Sequence, residues 1–149
     1  MRFVATTAYP LTPNTNYTLT VAGDVPLYRG YTLGGDFSYH FYVRPVRVVS
    51  TDPENGKTNM PVGDPVKVTF NVPMNTAATS AVFQLEAEPG VPVQGTRTWN
   101  SVSTVLTFTP GEHLLYDHTY TATIGTGAKS LGGHQISQPV SFQFRTRVS

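Results

Sequence analysis

The sequence predicts an all-β protein of sandwich architecture, and three observations carry that prediction. Only 13% of the 149 residues are charged, against roughly 25% in ordinary soluble domains, so Thr, Ser, Asn and Gln must cover the surface. Thr is a strand former whose hydroxyl keeps an exposed sheet face wet. β-Branched residues, prolines and glycines recur so often that no window of 11 supports a clean amphipathic helix, while alternation of period two is frequent.

The predicted strands follow in order. Val66, Val68 and Phe70 alternate with Lys67 and Thr69, and Leu106 and Phe108 with Thr107 and Thr109. Tyr120, Ala122 and Ile124 alternate with Thr121 and Thr123, and Val140, Phe142 and Phe144 with Ser141 and Gln143. Successive side chains of a strand point to opposite faces, so each segment buries one face and wets the other. Turn signals separate them at sandwich spacing: Asp52-Pro53-Glu54-Asn55-Gly56, Val62-Gly63-Asp64-Pro65, Glu88-Pro89-Gly90, Pro110-Gly111 and Leu131-Gly132-Gly133. The expected core comprises Val66, Val68, Phe70, Trp99, Leu106, Phe108, Leu114, Tyr120, Ile124, Phe142 and Phe144.

An internal repeat refines the architecture. Phe3 through Leu11, Tyr17-Thr18-Leu19-Thr20-Val21, a Gly-containing bend and Phe37-Ser38-Tyr39-His40-Phe41 make one copy. Phe108 through Leu114, Tyr120-Thr121-Ala122-Thr123-Ile124, a Gly-rich bend and Val140-Ser141-Phe142-Gln143-Phe144 make the other. In both, a Leu precedes by six residues the Tyr that opens a strand. That is the arrangement of a tyrosine corner, whose phenol oxygen pins the loop entering strand F of an Ig-like sandwich, so Tyr17 and Tyr120 are assigned that structural role. The expected organisation is a complete Ig-like Greek-key sandwich at 44–149, preceded at 1–43 by the C-terminal half of another repeat, strands E, F and G. Strand E lies in the opposite sheet from F and G, so the half-repeat cannot close a core alone. Its cover is expected from a longer parent chain, from another copy, or from the complete unit.

Composition removes several functions. A net charge of +1 without a basic run gives no phosphate-neutralising surface, so no nucleic-acid partner is expected. No apolar stretch approaches the roughly 20 residues that span a bilayer, so no membrane insertion is expected, and the N-terminus does not read as a signal peptide. Zero Cys excludes disulfides, thiolate nucleophiles and iron–sulfur clusters.

Five blocks then carry a resemblance: Val48-Val49-Ser50-Thr51-Asp52-Pro53-Glu54-Asn55-Gly56 with Asn59-Met60-Pro61-Val62; Val66 through Asn75; Leu106-Thr107-Phe108-Thr109-Pro110; Tyr120-Thr121-Ala122-Thr123-Ile124; and Phe142-Gln143-Phe144-Arg145-Thr146. In this order they resemble the bacterial Ig-like domain of the surface-layer, SbsA-like type over almost all of 44–147, and residues 3–43 resemble its second half. The acidic bend usual before the last strand is replaced here by Lys129-Ser130-Leu131-Gly132-Gly133. The resemblance implies a non-catalytic, extracellular or cell-surface spacer in a surface layer, an adhesin stalk or a multidomain secreted protein, with neighbouring Ig-like repeats as partners and no cofactor. Arg44-Pro45 fits a linker that restricts the angle between units.

Candidate chemistry is sparse. Glu112-His113 and Asp117-His118 precede Tyr120 in a loop whose counterpart in the first repeat has neither His nor carboxylate, so they read as solvated loop rather than zinc or acid–base chemistry. No catalytic residue and no metal ligand is assigned, and Asp52, Glu54 and Asp64 are the weak calcium candidates, since turn chemistry explains them too. Lys67 lacks an inward-facing amide partner for a self-made crosslink because alternation turns Gln143 outward. Tyr28, Tyr31 and Tyr116 are candidates for exposed contacts with a glycan or a neighbouring unit, and Trp99 is expected in the core. Asn16-Tyr17-Thr18 matches a glycosylation sequon at a structural tyrosine. The alternative functions are a carbohydrate-binding module and a subunit that self-associates through residues 1–43.

Overall fold

In the computed structural model the described residues are 4–9 and 11–149. They divide into two compact units, residues 1–45 and 46–149. Within the second, alternation produces the expected strands. β3 (Val48–Asp52), β5 (Val66–Phe70), β9 (Val105–Pro110) and β8 (Gly95–Trp99) form one sheet in that spatial order. β4 (Lys57–Met60), β11 (Val140–Thr146), β10 (Thr119–Ile124), β6 (Phe83–Glu88) and β7 (Val91–Pro92) form the other. Pairing is antiparallel except where β4 runs parallel to β11.

The inner faces meet in one core. Val66, Val68, Leu106, Phe108, Ala122, Ile124 and Phe144 are all at most 1% exposed, and Phe83 meets Phe108 with ring centroids 5.4 Å apart. Burying each of the Val, Leu, Ile and Phe side chains contributes about 1.5–3 kcal/mol, which is what holds two polar-faced sheets together. Trp99, expected inside, is half-buried at the end of β8: its ring stacks on Phe70 at 6.0 Å and its indole N–H donates to Ser80 Oγ. A large ring with one polar atom settles where that atom keeps a partner.

One helix stands among these strands, α1 (Thr76–Ala81). Asn75 caps it, its side-chain oxygen accepting from Ala78 N–H at 3.0 Å. Six residues are too few to register as helical periodicity in the sequence.

The first unit contains β1 (Thr15–Val21) and β2 (Phe37–Val43), an antiparallel pair, with a 3-10 turn at Tyr28–Gly30 between them. Of the expected strand E, residues 4–9 and Leu11 carry no strand, and Phe3 lies outside the described residues. Gly23 is required where the two strands diverge, since a Cβ there would lie 2.6 Å from the Gly35 backbone.

Candidate functional site

The loop between β9 and β10 brings Glu112, His113, Asp117 and His118 together in sequence, and the fold disperses them. Asp117 forms an ion pair with Arg145, its Oδ1 2.9 Å from one guanidinium nitrogen. His118 bonds through Nε2 to the Ala87 carbonyl at 3.1 Å and packs edge-on against Tyr120. Glu112 and His113 line a groove of about 640 Å³ with Val93, Leu114, Leu115 and Tyr120. Nucleophilic or acid–base chemistry needs a donor, its base and an orienting group within hydrogen-bond reach of one another. Here the one hydroxyl in the groove, that of Tyr120, accepts from the backbone N–H of Leu115 at 2.9 Å.

That bond is the corner itself, and the first unit has it too. Tyr17 Oη accepts from Thr12 N–H, also at 2.9 Å and also across five residues. Each phenol converts a loop N–H into a fixed attachment point and so sets where the following strand starts.

The calcium candidates do not form an oxygen cage. Asp52 and Asp64 line a depression of about 320 Å³ together with Lys57 and Lys67, which supply positive charge where a cation site needs six to eight oxygens. Glu54 is taken up in a turn, its carbonyl accepting from Lys57 N–H. Among the described residues no group of three or more His, Asp or Glu is placed to hold a metal ion. Lys67 faces outward on β5, and Gln143 faces outward on β11, where its amide donates to Thr121. They are on different sheets, so the two are not crosslinking partners.

The aromatic candidates are exposed and fall in different units. Tyr28 opens the 3-10 turn of the first unit and Tyr31 follows it, at 85% and 70% exposure, with the Arg29 guanidinium over the Tyr28 ring. Tyr116 belongs to the second unit and lies under Arg147. No helix among the described residues is long and apolar enough to cross a membrane.

Two packed, mainly antiparallel sheets, a tyrosine corner and polar groups spent on structural bonds define an Ig-like sandwich module. The model of the bacterial Ig-like domain family matches residues 42–146, and the chain belongs to that family. Comparison with the sequences of curated proteins returned no match. Among solved structures, the copper resistance protein PcoC of Escherichia coli is 16% identical, with a TM-score of 0.56 over 68% of this chain and 99% of that one. The surface layer protein SbsC, domains 1–6, is 19% identical with a TM-score of 0.52, covering 69% of this chain and 14% of that one. Native α2-macroglobulin of Escherichia coli is 17% identical with a TM-score of 0.54, over 70% and 33%. At such identities the likeness shows the fold alone. Met60 and Met74 of the present chain are core residues, 4% and 0% exposed.

Proposed function

We propose that the chain is a non-catalytic spacer from an array of Ig-like repeats in a secreted or cell-surface bacterial protein. The observation that carries this reading is the order of parts along the chain. A hairpin that repeats the end of the sandwich stops at Val43, and the complete sandwich starts with β3 at Val48. The segment between them includes Pro45, which fixes its own φ and narrows that of Arg44. Short, proline-containing junctions between small sandwiches give length and direction without a pocket. The surface-layer likeness agrees with that use, as does the engagement of Asp117, His118 and Tyr120 in bonds that hold the fold.

Labelling of intact cells of the source organism tests the reading. Antibodies against residues 46–149 should bind unbroken cells or the material they shed. Labelling that appears only after lysis would contradict it. A glycan array with Tyr28→Ala and Tyr31→Ala variants separates the module from a carbohydrate binder: specific binding lost on those substitutions would replace the spacer reading.

A further inference from the structure

The hairpin of the first unit is a copy of residues 115–146 at a constant shift of 103 positions. Tyr17 pairs with Phe41 as Tyr120 pairs with Phe144, and Leu19 with Tyr39 as Ala122 with Phe142. The stacked rings repeat, with centroids 5.8 Å apart for Tyr17 and Phe41 and 5.7 Å for Tyr120 and Phe144. On the other face the hydroxyl contact of Thr20 with Ser38 repeats that of Thr123 with Ser141. Asn14 and Asp117 both sit at positive φ, and the Asn14–Tyr42 side-chain bond takes the place of Asp117–Arg145. Even the intervening bend matches: the bridge between Pro26 and Thr32 corresponds to that between Lys129 and Gln135.

What differs is cover. In the second unit this face is sealed by the sheet of β3, β5, β9 and β8, and β6 extends β10, leaving Ala122 and Phe142 0% and 3% exposed. In the first unit Leu19 is 40% exposed, and Phe37 and Tyr39 57% each. Six large apolar side chains on one face of a two-stranded sheet are an inner face, and an isolated hairpin is marginal in water.

We propose that the face formed by Tyr17, Leu19, Val21, Phe37, Tyr39 and Phe41 docks the first part of a second Ig-like sandwich. Its occupant is a stretch of about 60 residues carrying counterparts of β3 to β8, joined ahead of the hairpin, as an Ig-like unit of roughly 100 residues requires. The second unit shows both the cover and its order in the chain, since every strand that seals β10 and β11 precedes them. The inference deepens the array reading above and rests on it, but not on the cell-surface location, so failure of cell labelling leaves it standing.

The test places a second copy of residues 44–103 ahead of residue 1 and follows amide exchange in the extended and original chains. Backbone amides of β1 and β2 should gain about 100-fold or more protection in the extended chain, with residues 46–149 unchanged. In the second unit Gln84 faces Thr123 across β6 and β10, so Thr20→Cys paired with Cys at the added copy of Gln84 should form a disulfide in this cysteine-free chain. Hairpin amides that stay unprotected and cysteines that stay reduced, while residues 46–149 remain folded, would overturn the proposal. So would a dimer of the original chain with its hairpin already protected, because a second copy would then be the occupant.

Discussion

The hairpins Thr15–Val43 and Thr119–Thr146 share pairing, corner bond and ring stacking, yet one is half open and the other sealed. Local sequence therefore sets the shape of this element, while its burial comes from strands contributed elsewhere. The hydrogen bonds of a hairpin contribute little net stability, since water competes for them. Apolar area removed from water, at about 25 cal/mol per Å², separates the two copies.

Paired substitutions sharpen that contrast. The largest difference is expected for Phe144→Ala against Phe41→Ala. The former removes a ring 1% exposed and should cost about 3–5 kcal/mol in denaturant unfolding of the sandwich. The latter should leave that transition where it is, and a matching loss from both would end the distinction. Next come the corners: Tyr120→Phe should cost about 1 kcal/mol or more by stranding the Leu115 N–H, whereas Tyr17→Phe should not move the main transition. An unchanged melting temperature for Tyr120→Phe would refute the corner's role. Asn75→Ala, which uncaps an α-helix found, among the described residues, in the second unit alone, should cost about 1 kcal/mol in the same unfolding experiment. Smallest is Asp117→Ala. Its ion pair with Arg145 is 55% and 52% exposed, so about 0.5 kcal/mol or less is expected, and less still at high salt.

The strands that alternate cleanly were legible in the sequence. β5, β9, β10 and β11 stand where Val66–Phe70, Leu106–Thr109, Tyr120–Ile124 and Val140–Phe144 alternate, because a strand with one wet face must write that pattern. β6 carries a shorter version of the same signal in Phe83-Gln84-Leu85-Glu86-Ala87-Glu88, where alternation fades after Leu85 into part-buried Glu86 and Ala87. Val46, Val62, Met74, Ala128 and Ile136 are buried from loops and strand flanks, where no period marks the inner face. β4 joins by parallel pairing with β11, a long-range choice that four residues cannot announce. At the candidate site, the clustering of Glu112, His113, Asp117 and His118 in sequence did not survive folding. Arg145 and the Ala87 carbonyl, both remote in the chain, claim two of the four.

The chain holds one sealed Ig-like sandwich and one hairpin of matching pairing whose corresponding face is half open. Native-state amide exchange of the chain, under conditions where light scattering shows a monomer, tests that contrast most directly. The amides of Tyr120 to Ile124 should exchange only through global unfolding, while those of Tyr17 to Val21 should exchange through local opening at least about 100-fold faster. Equal protection of the two segments in the monomer would contradict it.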